Sequence, residues 1–368
     1  MRLGVLFCLT AALCLLVGPA PAGDKGVPDA ADVKTVRDKA VAYLKAHQGK
    51  DGSFSPKLAG PGVTAVVVAA LVKNGVSPRE PVVARALAYL EKQVQADGGI
   101  YNKFLANYTT SVALMAFKDA NTNGQYDGLI KNAAAFLKKL QHDEPESLTS
   151  DVKHGGFGYD KKSRPDLSNS AFTIEALIAA GVPRDDPAIQ KALKFLSRCQ
   201  NVSGEFNDQN FAKNAAPDDK GGFTYTPVDP GKSPHKTSEG GLRSLGAMTY
   251  GGLKSFLYAG VSKDDPRVKA ATAWIRKHYT LDENPGMGKA GLYYYYHTFA
   301  KAMAAFGEDP FVDAKKVEHH WRKELLAALK KRQKEDGSFV NATDRAFGEA
   351  DPNLATAFAV LALSYTKK

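Results

Sequence analysis

Cysteine is scarce in this chain: three in 368 residues, two of which, Cys8 and Cys14, fall in an apolar leader. Only Cys199 remains for the body. An internal disulfide, a Cys-rich zinc site and an iron–sulfur cluster are therefore excluded. Long apolar runs are missing too. Beyond the first 22 residues none approaches the ~20 needed to cross a bilayer, so no transmembrane segment is expected once the leader is removed. Nucleic-acid modules and Arg-rich loops are absent, and the net charge of +10 is spread along the chain. That pattern suits solubility or contact with an anionic envelope surface and argues against a nucleic-acid partner. What the chain does have is core-forming material: 44% hydrophobic residues, with 18 Phe and 15 Tyr, which excludes an intrinsically disordered polymer.

The first residues read as an address. Arg2 supplies the basic start, Leu3 to Val17 carries no charge, and Ala20-Pro21-Ala22 is a small-residue cleavage site. Cleavage is expected near Ala22, with export to the periplasm or the extracellular space. The organisation expected is a signal peptide over 1–22, a short tail over 23–31 and a single domain over 32–368.

A repeat emerges when the chain is cut at its Gly-rich turns. YLKAHQGKDGSF from Tyr43, FLSRCQNVSGEF from Phe195 and ALKKRQKEDGSF from Ala328 share an aromatic or aliphatic pair, a basic stretch, a Gln and a Gly turn ending in Phe. Looser copies begin at Tyr89, Phe136 and Trp274. Each is followed by a second segment with a hydroxyl near its start: Thr64, Thr110, Ser170, Thr249, Thr298 and Thr356. Apolar residues stand four and seven positions beyond each hydroxyl, which is one face of a helix. The first segments are amphipathic and basic. They predict outer helices facing water, around inner helices with few polar groups.

Six pairs that cannot bury their own faces must stack or close. The expected fold is all-α: a closed α/α toroid (an α6/α6 barrel) of twelve helices, with an open solenoid as the alternative. The outer helix, Gln, Asp-Gly-Gly-Phe turn and inner helix resemble the prenyltransferase and squalene oxidase repeat over roughly residues 32–366. The stretch Gly240 to Phe306 looks most like squalene-cyclase-like exported proteins of bacteria.

Connection lengths point to the working end. From a hydroxyl to the next Gln slot the spacing stays between 30 and 35 residues, whereas from a Gln slot to its own hydroxyl it runs from 16 to 49. Variable loops on a rigid scaffold carry function, so the site is expected at the rim where the variable connections meet. The longest loop, Asn201 to Gly240, is expected to cap that mouth.

The resemblance implies, for the cyclases, protonation of a polyene by an Asp in a DxDD motif. No DxDD occurs here. Asp185-Asp186 and Asp264-Asp265 precede prolines and read as helix N-caps at the constant end. Asp218-Asp219 reads as a solvated turn. Protein prenyltransferases use zinc held by Asp, Cys and the His of D-x-Y-H-T. Tyr296-His297-Thr298 matches the end of that motif, but Tyr294 replaces its Asp and no Asp-x-Cys pair occurs anywhere in the mature chain. No metal and no cofactor are expected.

His297 directly precedes a hydroxyl slot, as do Asn169 and Met248, and is expected to face the lumen near the mouth. A hydrogen-bonded core histidine is the plainer alternative. Tyr293, Tyr296 and His297 are read as sharing a face, and with Tyr250, Met248 and Asn169 they are the expected ligand-binding set. His297, Tyr250 and Arg243 are the catalytic candidates. The function expected is binding of an apolar, isoprenoid-like ligand or an envelope partner without DxDD chemistry. The alternatives are a terpenoid cyclase or isomerase acting in the lumen, and a carbohydrate-active toroid enzyme.

Overall fold

A computed structural model describes residues 26–143, 151–344 and 346–367; the expected leader and its cleavage site lie outside them. Six outer helices are α1 (Ala30–Ala46), α4 (Pro81–Glu91), α6 (Asp127–Lys139), α8 (Pro187–Arg198), α11 (Pro266–His278) and α13 (Trp321–Arg332). They alternate with inner helices α3 (Gly62–Lys73), α5 (Ala106–Ala120), α7 (Leu167–Ala179), α10 (Gly246–Tyr258), α12 (Leu292–Phe306) and α14 (Pro352–Ser364). Single turns α2 (Pro56–Ala59) and α9 (Asn210–Lys213) lie in the variable connections.

The inner helices close on themselves. Each packs on the next from α3 through α5, α7, α10 and α12 to α14, and α14 packs back on α3. Asn74 Nδ2 donates to the Val360 carbonyl (2.8 Å) across that last seam. The outer layer closes as well: Lys330 of α13 pairs with Asp32 of α1 at 2.8 Å. The closed toroid is thus the architecture, and the open solenoid is excluded. Inner helices are buried nearly all round, with every residue from Gly62 to Leu71 of α3 enclosed, as walls between an outer layer and a lumen require.

The repeated residues have local jobs. Gln141 Nε2 donates to the carbonyls of Gly155 (2.9 Å) and Ala188 (2.8 Å), tying its own turn to the start of the next outer helix. Gln48, Gln200 and Gln333 make the equivalent pairs, and Gln333 reaches the Val36 carbonyl of α1. The turn Gly must be Gly: at Gly155, φ is +87° and a Cβ would lie 2.0 Å from the Lys191 carbonyl oxygen. The hydroxyls take the next free amide, Thr64 accepting from the Phe54 N–H at 2.9 Å. Thr110, Ser170, Thr249 and Thr356 act alike. Thr298 departs from this and donates to the carbonyls of Tyr294 and Tyr295 instead.

At α8 and α11 the second Asp of each pair is the cap. Asp186 accepts from the Ala188 N–H (2.9 Å) and Asp265 from the Arg267 N–H (2.8 Å), while Asp185 and Asp264 are exposed. The residue adjoining the N1 proline holds the cap geometry, so its neighbour faces water. The long constant-end connection, between α12 and α13, carries a two-residue antiparallel pair, β1 (Phe311–Val312) with β2 (Glu318–His319).

Candidate functional site

The variable connections meet where the inner helices begin, and there the lumen opens into a chamber of about 400 Å³. The third residue of five inner helices points into it: Tyr108, Asn169, Met248, Tyr294 and Leu354. Leu58 and Ala59 of α2 take the place of the sixth. Tyr159, Tyr225, His235 and Phe347 come from the loops, so the 201–240 segment does supply part of the wall.

The polar groups of this chamber are uncharged: the hydroxyls of Ser168 and four tyrosines, the amides of Asn169 and Asn284, and the His235 ring, whose imidazole burial pushes down. Ser168 Oγ and the Tyr294 hydroxyl lie 2.9 Å apart. Asn169 Nδ2 donates to Asp166 Oδ2 (2.8 Å), and its N–H donates to Oδ1 of the same carboxylate (2.8 Å). The Tyr225 hydroxyl bonds this carboxylate as well. Asn169 Oδ1 is left as a buried acceptor without a partner. Burial pushes the Asp166 carboxyl up to about 6, against the hydrogen bonds that favour its ion. Asp166 itself stands behind Asn169 and does not line the chamber.

Phe172 and Phe358 form a partition shared with a second, deeper space of about 80 Å³. Here the character changes. Glu175 of α7 bridges Lys254 of α10 (2.6 Å) and Lys301 of α12. Burial opposes ionisation of Glu175, yet the two ammonium groups hold its carboxyl well below the usual range. His297 lines the same space, stacks on Phe358 with centroids 5.6 Å apart, and has no partner for either ring nitrogen. Burial, then Lys301, push its imidazole well below the ordinary value, so it is neutral.

The residues proposed from sequence therefore part company. Asn169 and Met248 line the mouth chamber. His297 lies deeper, because α12 starts a turn early: Thr298 is its seventh residue, whereas the other hydroxyls stand third to fifth. The lumen stripe of α12 is Tyr294, His297 and Lys301, which corrects the face assigned to Tyr293 and Tyr296. Tyr293 packs on Phe339, and the Tyr296 hydroxyl donates to the Leu281 carbonyl at 2.5 Å under Arg332. At 100° per residue, Tyr296 lies more than a quarter-turn off that stripe. Tyr250 is enclosed against Tyr295 and Phe299 in the wall, while Arg243 is exposed on the long loop, its N–H donating to the His235 carbonyl. The structure does not bring Arg243 and Tyr250 together. Asp219 is not a solvated turn: it is buried and accepts from the Ser244 N–H at 2.7 Å, with only Asp218 exposed. Among the described residues, no group of His, Cys, Asp and Glu has the geometry of a metal site.

Asp166, Glu175, Lys254 and Lys301 escaped sequence reasoning. Nothing local marks the last three, which meet only across the lumen. Asp166 did leave a signal: Asp166-Leu167-Ser168-Asn169 keeps the D-x-D-D spacing with its last two carboxylates replaced.

Comparison with known proteins agrees with this architecture. Residues 57–220 match the Squalene-hopene cyclase C-terminal domain, and residues 247–367 match the Prenyltransferase alpha-alpha toroid domain. A squalene–hopene cyclase of Bradyrhizobium diazoefficiens is 30% identical over 169 residues, a match covering 42% of this chain and 24% of that enzyme. Among solved structures, a type II terpene cyclase from Scytonema superposes with a TM-score of 0.56 at 14% identity, over 92% of this chain and 98% of its own. A Clostridium perfringens α-amylase gives 0.56 at 11% identity, over 91% and 98%. These two likenesses are of fold.

Proposed function

Taking as premise that the chain is a squalene-cyclase-like α/α-toroid protein, we propose that it is an exported binding protein for an apolar, isoprenoid-like molecule. The ligand occupies the mouth chamber and is not protonated there. One observation carries this: a chamber of about 400 Å³, walled by aromatic and aliphatic side chains, whose buried unpartnered acceptor is Asn169 Oδ1. That volume falls within the range of small-molecule pockets, about 300–1,000 Å³. The lone acceptor suits a ligand carrying a hydroxyl.

Protonating an alkene requires a strong acid in contact with it. The mouth lining offers Ser168 and Asn169 where D-x-D-D would offer carboxylates, and Asp166 is turned away to hold the Asn169 amide. Export rests on the leader; sequencing the N-terminus of protein recovered from outside the cytoplasm, with a start at Gly23, checks it.

The test of binding is a titration with geranylgeraniol followed by intrinsic fluorescence. Saturable binding is expected, weakened by Asn169→Leu and blocked by Met248→Trp, which fills the chamber. Squalene incubated with the protein should be recovered unchanged by gas chromatography with mass detection. Cyclised product dependent on Asp166 would make the protein a cyclase, and non-saturable binding would remove the ligand reading. An envelope partner at the mouth rim is the second reading, supported by the exposed apolar surface of Leu58, Phe104 and Tyr159. Cross-linking from Phe104 in intact cells tests it.

A further inference from the structure

The deep space is charged, and its charges do not balance. Glu175 is satisfied at both oxygens, Oε2 by Lys254 and Oε1 by Lys301. Around it α3 contributes Lys73, α5 Lys118 and Asp119, and α12 His297 and Lys301, while α14 contributes only Phe358 and Leu361. Lys73 is paired with Asp119 at 2.8 Å. Lys73 and Lys118 reach solvent, but Lys301 and, behind Glu175, Lys254 are buried, so two enclosed ammonium groups share the one enclosed carboxylate of Glu175, an excess that is costly away from water. The His297 ring is 3% exposed, lines this space, and has no hydrogen-bond partner on either nitrogen. A buried imidazole with nothing to bond is as unusual as an unbalanced buried ammonium. One occupant cures both defects.

We propose that the deep space is a carboxylate-binding site, in which Lys301 Nζ–H and the His297 ring N–H each donate to one oxygen of the bound group. The source is either the acid end of a ligand whose apolar tail lies in the mouth chamber, or a free small carboxylate. The first source rests on the mouth-chamber reading above; the second does not. Size and chemistry agree with the assignment. A space of about 80 Å³ has room for a carboxylate. The surplus positive charge rejects a cation. The Phe172–Phe358 partition sets an apolar barrier between the mouth chamber and the ammonium, so a linear chain threading past it meets a polar end only at its terminus.

The experiment compares farnesoic acid with its methyl ester by calorimetric titration of the whole mature protein, with sodium acetate as a separate probe. The acid should bind about tenfold more tightly than the ester, the effect of one or two charge-assisted bonds. Lys301→Gln, which leaves Glu175 paired with Lys254, should reduce the preference to near unity without changing ester affinity. His297→Leu keeps every charge and should reduce it in part, and it serves if Lys301→Gln fails to fold. Acetate at millimolar concentration should raise the wild-type melting temperature and leave that of the variants unmoved. Equal binding of acid and ester, with no acetate effect, overturns the deep site while leaving the mouth chamber standing. Acetate stabilisation without binding of either farnesyl compound removes the mouth ligand and keeps the carboxylate site.

Discussion

The two ends of one lumen share helices α5, α7, α12 and α14 and almost no chemistry. At the mouth, the third residues of the inner helices meet loop residues in a roomy, uncharged, aromatic chamber. Two turns further along, three lysines and two carboxylates line a space a fifth as large, with Lys254 paired behind Glu175. The difference follows from connectivity. Mouth connections vary in length and each sets its own wall residue. All but one of the opposite connections are short, so side chains there answer mainly to one another.

The contrast can be broken most violently at the deep end. Glu175→Gln leaves Lys254 and Lys301 enclosed without a counter-charge. Removing one partner of such a cluster costs about 3–5 kcal/mol, and urea unfolding should show it. A loss below about 1 kcal/mol would mean that water reaches the lysines.

Next comes pH, where the two ends should respond with opposite sign. Burial raises Glu349, at the mouth end of α12, to about 7 from an ordinary 4.5, although it accepts from the Tyr294 N–H at 2.7 Å. The folded chain then holds a proton that the unfolded chain releases, so stability falls as pH rises from 4.5 to 7, by up to about 3 kcal/mol. Glu175 is lowered instead. Its contribution is intact above the ordinary value of 4.5 and is lost as pH falls below it. Melting curves of Glu349→Gln and wild type should diverge between pH 4.5 and 7, with the variant gaining relative stability as pH rises. Parallel curves would refute the assignment.

Smaller effects sharpen the constant rim. Asp186→Ala should cost about 0.5–2 kcal/mol as a lost cap, and Asp185→Ala less than about 0.5. Neither should alter ligand binding. At the mouth, Ser168→Ala removes the bond to Tyr294 and should cost about 1 kcal/mol, with a change in binding.

The ring was legible because its grammar is local. Gln141, Gly155 and Ser170 lie within one pair, and residues of the same kinds recur in the same order in other pairs, so they announce a repeat before any contact is known. The caps were legible to within one residue, since DDP leaves open which Asp turns inward. The lumen face of α12 was misread for a definite reason. Four consecutive tyrosines erase the apolar periodicity that would orient the helix, and its early start shifts the hydroxyl register by a turn. Lys254 and Lys301 were invisible as lumen residues because their partner is 79 and 126 positions away; on inner helices, isolated lysines carry no local mark of a shared carboxylate.

The seam between α14 and α3 has one more consequence. Helix α14 ends, and α1 begins, at the constant rim, the same placement that every other inner helix has relative to the next outer one. Four of the five such connections are only six or seven residues long. Bridging Ser364 to Ala30 with a linker of that length, and opening the chain instead at the Ser77–Glu80 turn, should yield a circular permutant with the same lumen. In a ring of this kind the strung order of the pairs is a historical accident, and the fold is indifferent to which pair is read first.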